Sequence, residues 1–361
     1  MQNLQGLQNQ FQGLNQLQGL QNQHQQVTQP RLPVVQQGGS ARLKVRVITW
    51  NLGDNEKNQQ DWNQEVLKSW DLITNRDYDV LCIAVQEDWN NSSRYGKFGE
   101  AIYNVLRDGY VMFTHAVNGP PGATNHPFSV KAFLYVKKGT SQQYLFDSED
   151  VCLQRTLFCT KSAAGLSLEF RGFQLIFISA HLPIDTKTND LGYDKRLDAM
   201  YETFIDVYDK LVDTKANQRV AIIAGDLNFR DNTPISPNGT PVKDQLIYAM
   251  ESHPREFRAF KEVDLAKFPP TCKLRSCTGP SCPACRNASS DKFDPSCYQY
   301  QVAGKGIGKR DGNREPSHCD RILFHGDNVT LRTTSYKSWG KADSISHSDH
   351  DLVYADLDVI G

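Results

Sequence analysis

The stretch that most constrains the fold is the apolar run Val220-Ala221-Ile222-Ile223-Ala224, followed at once by Gly225-Asp226-Leu227-Asn228-Phe229-Arg230. The run is short and β-branched, so it reads as a buried strand that stops abruptly at a glycine. A carboxylate, an amide and a guanidinium then arrive at the strand's carboxyl end, where open α/β proteins commonly gather their chemistry. Gly, Asp and Asn are also ordinary turn residues, so taken alone the stretch leaves a plain turn equally open. The rest of the chain decides. Lys44 to Trp50 alternates and reads as a strand delivering Asn51, Asp79 to Val85 delivers Gln86 and Glu87, and a strand over 166–180 delivers His181. Strands over 319–325 and 351–358 bracket Asp320, Asp349 and His350. Further strands are expected over 109–116, 129–138, 151–159 and 328–337, with helices near 61–74, 97–107 and 192–213. Many strands with few helices between them predict packed mixed sheets rather than one doubly wound sheet.

The 361 residues are 39% hydrophobic, enough for a sizeable core. Forty basic residues against 41 acidic ones leave a formal charge of -1, so the overall balance implies no attraction to nucleic acid or membrane, and an anionic ligand needs a local basic pocket. No apolar run is long enough to span a bilayer and the amino terminus lacks the pattern of a secretory signal, so a cytoplasmic location is the expectation. Residues 1 to about 40 form a separate Gln-rich segment in which Leu4 to Gln10 recurs verbatim at Leu17 to Gln23. Its near-heptad apolar spacing allows a weak self-associating or partner-binding helix, but its glycines, each costing about 1 kcal/mol in a helix interior, favour a disordered tail and linker. A catalytic domain over 41–361 follows.

Asn51, Glu87, His181, Asp226, Asn228, Asp320, Asp349 and His350 together make an inventory for one reaction, metal-assisted attack of water on a phosphate ester. A carboxylate with a neighbouring amide oxygen suits Mg²⁺, which takes hard oxygen ligands and keeps several waters. An aspartate can activate the water, and an imidazole paired with a second carboxylate can stabilise charge on the phosphate.

Trp50-Asn51, Gln86-Glu87, Ser179-Ala180-His181-Leu182, Gly225-Asp226-Leu227-Asn228 and Ser348-Asp349-His350 resemble the ordered motifs of the endonuclease/exonuclease/phosphatase superfamily. The resemblance implies a DNase I-like four-layer α/β sandwich of two mixed β-sheets flanked by helices. It also implies Mg²⁺ held by Glu87 with Asn51, water activated by Asp226 and positioned by Asn228, and phosphate contacts from His181 and His350. Asp320 would orient His350, and Asp349 would support the metal or that histidine. Pro316-Ser317-His318-Cys319-Asp320-Arg321-Ile322-Leu323, Pro270-Thr271-Cys272-Lys273 and the Gly225 to Arg230 stretch are similar to motifs of one branch, the inositol polyphosphate 5-phosphatases. That likeness implies removal of the 5-phosphate from a phosphoinositide or soluble inositol polyphosphate, with Lys273 and Arg314 on a neighbouring ring phosphate and Lys161 as a further phosphate contact. Arg230 and Arg321 either join them or brace loops through salt bridges. Cys272, His318, Phe229 and Gly312 depart from the branch's pattern and leave substrate preference open. The alternatives are another superfamily phosphodiesterase, a nuclease or sphingomyelinase-like enzyme, or a non-catalytic phosphoinositide-binding module.

Five of the nine cysteines crowd one segment. Within an insertion at about 275–312, Cys277, Cys282, Cys285 and Cys297 have spacings compatible with a small Zn²⁺ site, while disulfides and unligated thiols remain open. The basic stretch Gly304 to Arg310 could touch a lipid headgroup, giving a peripheral membrane contact. Cys82, Cys152 and Cys159 lie in apolar contexts and read as buried thiols.

Overall fold

Alternation along a strand dictates which side chains reach which face, and the computed structural model follows it along its central strands. The structure describes residues 42–53, 67, 70–91, 96–117, 125–139, 145–153, 159–184, 193–229, 246, 250–251, 256–262, 271, 274–275, 299–300, 318–339, 348 and 350–361. The expectations for the Gln-rich segment, the zinc cluster and the Gly304 to Arg310 stretch lie outside them.

Strand β1 (Arg42–Asn51) runs parallel to β2 (Val80–Asn91) and antiparallel to β13 (Val353–Ile360). With β3 (Tyr110–Val117), β4 (Asn125–Lys137) and β12 (Thr330–Ser338) they form a six-stranded sheet in the order β12-β13-β1-β2-β4-β3. The second sheet joins β5 (Phe146–Cys152), β6 (Ser162–Phe170), β7 (Phe173–His181), β8 (Arg219–Asp226) and β11 (Asp320–Asp327) in the order β11-β8-β7-β6-β5. Only β7 and β8 run parallel there. A two-stranded pair, β9 (Leu274–Arg275) with β10 (Gln299–Tyr300), stands apart from both.

The inner faces meet in one core, where Val45, Val47, Ala84 and Leu134 of the first sheet join Leu166, Leu175, Phe177 and Ile222 of the second. Each such side chain contributes about 1.5–3 kcal/mol by leaving water. The outer face of the second sheet, with Ile176, Ile178 and Ile223, lies under Met200 of α3 (Tyr193–Thr203) and under Phe204, Val207 and Tyr208 beyond it. The first sheet's outer residues Ile48, Trp50 and Ile83 pack on Leu72 and Ile73 of α1 (Asp71–Thr74) and on Phe98 and Ile102 of α2 (Gly96–Leu106). The result is the four-layer sandwich of two mixed sheets.

Several boundaries differ from the sequence reading. The strand expected over 166–180 is two strands reversing at Arg171 and Gly172, both at positive φ, and the turn was hidden because Arg171 is not a turn-forming residue type. The strand expected over 151–159 instead runs from Phe146 and ends at Cys152. Cys152 and Cys159 are not free thiols but are joined in a disulfide, a pairing set by proximity in space that spacing alone does not reveal. Cys82 is a buried free thiol, as expected, and burial pushes its pKa far up, while Cys319 is buried as well. The helix expected over 192–213 keeps α-geometry through Thr203 and then widens into a π-turn at Phe204–Tyr208 before Asp209–Leu211.

Candidate active site

The two parallel pairs, β1 with β2 and β7 with β8, end at the same edge of the sandwich. Asn51 lies beside Gln86 across the first pair, and His181 beside Asp226 across the second. Antiparallel β11 begins where β8 ends, so Asp320 pairs with Asp226. β13 begins beside the end of β1, with Val353 opposite Thr49, which brings His350 to the same edge. Topology thus gathers residues as far apart in the chain as Asn51 and His350.

The Asp226 carboxylate is 2% exposed and held from several sides. Asn51 Nδ2 donates to Oδ2 at 2.9 Å, the Asn228 amide donates to Oδ1 at 3.2 Å, and His181 Nε2 lies 3.2 Å from Oδ2. Burial alone would raise its pKa, but the hydrogen bond and charge of His181, aided by His350 and Lys161, hold it well below the usual carboxylate range. Asn228 adopts φ 53° and spends its own Nδ2 on the Leu182 carbonyl at 2.9 Å, tying the ends of β7 and β8 together. Asn is among the few residue types that visit this left-handed region. A side chain at Gly225 would overlap the Ala180 carbonyl, so the glycine permits the close approach of β7 and β8 just before Asp226.

His181 is buried, and its Nε2 contacts Lys161 Nζ as well as Asp226 and lies 3.6 Å from Glu87 Oε1. Burial, then the Lys161 charge, lowers its pKa against the opposing pull of Asp226 and Glu87. Among the described residues its buried Nδ1 has no hydrogen-bond partner.

A second cluster faces the first. His350 Nδ1 is 2.8 Å from Asp320 Oδ2, which also accepts from the Thr271 hydroxyl at 2.7 Å. Burial pushes the Asp320 carboxyl up to about 7 despite the opposing pull of His350 and Thr271. Ser348 Oγ donates to the Asn51 carbonyl at 2.6 Å and accepts from the His350 amide at 3.0 Å, so the loop before β13 is fastened to the end of β1. Gln86 Nε2 reaches Ser179 Oγ at 3.3 Å and links the two sheets. Thr271 and Ser348 both lay inside motifs quoted above, yet neither stood out as a site residue, because their contribution is to hydrogen-bond other site residues.

The arrangement joins eight of the expected residues, Asn51, Glu87, Lys161, His181, Asp226, Asn228, Asp320 and His350, at one edge. Arg321 is different. Its side chain points to the outer face, fully buried, and makes a bidentate pair with Glu262 at 2.6 and 2.5 Å, while Tyr336 donates to the same carboxylate at 2.8 Å. Of its two expected roles, the structure displays the bracing one; Glu262 carried no motif signal. Asp349, Arg230, Lys273 and Arg314 lie outside the described residues.

Among the described residues no group of three or more His, Cys, Asp or Glu side chains is arranged to hold a metal. The oxygens of Glu87 and Asn51 nevertheless fit a hydrated hard cation, which needs only one or two carboxylates and fills its remaining positions with water or substrate. Asn51 Oδ1 already accepts from the Gly53 amide at 2.9 Å, but an amide oxygen has a second lone pair. The Glu87 side chain is 21% exposed.

No functionally curated protein sequence matches the chain. Among solved structures, the inositol polyphosphate 5-phosphatase domain of SPsynaptojanin, in complex with inositol (1,4)-bisphosphate and a calcium ion, is similar with a TM-score of 0.54 and 17% identity, over 89% of this chain and 85% of that one. Cimex nitrophorin in its ferrous NO complex gives 0.52 and 18% identity, over 88% and 99%. D. rerio TDP2 with a single-strand DNA product gives 0.46 and 16%, over 87% and 98%. At such identities the first two likenesses show a shared fold. The family described as Endonuclease/Exonuclease/phosphatase family 2 matches residues 48–356 and so takes in all five ordered strand-end motifs: the chain belongs to the endonuclease/exonuclease/phosphatase family.

Proposed function

We propose that the protein is a Mg²⁺-dependent phosphatase that removes the 5-phosphate from phosphoinositides or soluble inositol polyphosphates by direct attack of water. The observation that carries the reading is the buried, charged Asp226 carboxylate held between Asn51, Asn228 and His181, opposite the His350 and Asp320 pair. A carboxylate kept ionised by fixed donors is suited to orient water and accept its proton. His181 and His350 would hydrogen-bond the phosphate oxygens, with Asp320 and Thr271 fixing the His350 ring. Lys161, in contact with His181, would neutralise the phosphate. Glu87 and Asn51 would hold Mg²⁺, which supplies Lewis-acid neutralisation of charge on the reacting oxygens.

The preference for inositol phosphates rests on the Cys319-Asp320-Arg321-Ile322-Leu323 and Lys273 motifs. Lys273, Arg314 and Arg230 would grip the ring phosphates that do not react. The fold alone does not decide, since a nitrophorin shares it. The test is phosphate release with Mg²⁺ from a panel of phosphoinositides and soluble inositol polyphosphates, with abasic DNA and sphingomyelin alongside. Release from 5-phosphorylated inositols is the expected outcome. Cleavage of DNA or sphingomyelin instead moves the chain to another branch, and headgroup binding without turnover makes it a binding module.

A further inference from the structure

Simple alternation along β2 would send Glu87 to the outer face with Leu81, Ile83 and Val85, which pack beneath the helices. Yet its carboxylate lies 3.6 Å from His181 Nε2, on the inner side. The reason is a bulge. Val85 pairs with Lys131 and Asp88 with Ser129, so β2 takes three steps where β4 takes two, and Glu87 sits at φ 53°. Bulges re-aim side chains in this way, but a non-glycine residue persists in the left-handed region only when its surroundings fix it.

The surroundings do so through an ion pair that spans the bulge. Lys131 is opposite the last residue before it, Asp88 is the first paired residue after it, and their side chains meet on the outer face at 2.6 Å with both 0% exposed. α2 closes over them at Gly96, which has φ 67° and where any Cβ would overlap both Asp88 Oδ2 and Lys131 Nζ. A pair desolvated to this degree strongly disfavours any conformation that separates its partners.

We infer that Asp88 and Lys131 are positioning residues for the site: by clamping the bulge from the outer face they aim the Glu87 carboxylate inward, toward His181 and the cation. The cation half of this statement rests on the proposed reading of Glu87 as a metal ligand; the aiming of the carboxylate does not.

The experiment compares the full-length protein with the double variant Asp88→Leu/Lys131→Met, which replaces the pair by apolar groups of similar volume, and with Glu87→Gln. Buried ion pairs replaced in this way often leave stability unchanged. Two readouts are taken besides activity: Mn²⁺ binding, followed by the loss of the free-ion EPR signal, and the His181 ring resonance, assigned with His181→Gln. The double variant is expected to keep a cooperative melt, bind Mn²⁺ about tenfold or more weakly, as seen when supports of metal ligands are removed, and shift the His181 resonance toward its position in Glu87→Gln. At saturating metal its kcat recovers while the metal concentration needed rises. An unmoved His181 resonance in the folded double variant overturns the inference. Unchanged Mn²⁺ binding by Glu87→Gln overturns instead the metal reading of Glu87. If the double variant does not fold, Gly96→Ala, which displaces the pair and leaves its charges in place, is read by the same two measurements, with the same shift supporting the clamp and its absence rejecting it.

Discussion

Asp320 illustrates how one buried carboxyl can set opposite trends in stability and activity. Its pKa is raised by burial to about 7, so the folded state binds the proton more tightly than the unfolded chain. Its contribution to stability is therefore fully present below the ordinary carboxyl value near 4 and is lost as pH rises through about 7. Activity should run the other way, because only the ionised carboxylate gives His350 Nδ1 an anionic acceptor. Asp320→Asn is expected to flatten the acidic limb of the pH–rate profile near 7 and to remove the matching pH dependence of the melting temperature. Retention of both in the variant would assign them to another group. Arg321 makes the complementary case, a charged residue near the site whose described ion pair is with Glu262. Arg321→Met takes the ion-pair partner from the buried Glu262 carboxylate, which keeps only neutral donors such as the Tyr336 hydroxyl, and should cost about 3–5 kcal/mol in urea unfolding. KM should stay unchanged in the folded fraction; a raised KM would return Arg321 to the substrate.

The central strands were legible because each is a short apolar run ending in chemistry, and β1, β8, β11 and β13 lie within a few residues of their expected positions. What lay beyond reading was anything decided between elements. The β2 bulge leaves no mark in Gln86-Glu87-Asp88, since its cause is Lys131 on another strand. Thr271 and Glu262 acquire their partners only when residues 49 and 59 positions away fold back onto them. Gly225, by contrast, was conspicuous in the sequence, and the structure supplies its reason: β7 and β8 approach too closely there for any side chain. Gly225→Ala should lower stability by about 1–3 kcal/mol through overpacking against the Ala180 backbone. Because the strain falls beside Asp226, turnover should fall by more than the loss of folded protein accounts for. A melting temperature equal to that of the parent protein would contradict the close-approach argument.

At the scale of the molecule, two sheets packed face to face leave one edge where the ends of β1, β2, β7 and β8 meet the beginnings of β6, β11 and β13, and the described residues assigned to chemistry lie there. The large interior core between the sheets holds that edge rigid, which is what a preorganised constellation requires. Removing divalent metal with a chelator should abolish turnover reversibly while leaving the melting curve nearly unchanged, because three apolar clusters and not the metal maintain the fold. A chelator-induced loss of structure would contradict that division.

The account turns on Asp226 as the group that activates water, and Asp226→Asn tests this with the least disturbance, since the amide keeps the carboxylate's shape. The measurement is phosphate released from a 5-phosphorylated inositol under saturating Mg²⁺ by the parent protein and by the variant, with folding of both verified by their melting curves. The account predicts turnover by the parent and a loss of roughly 10²–10⁴-fold in the variant. Equal rates from two equally folded proteins, or no Mg²⁺-dependent release by the parent, would contradict it.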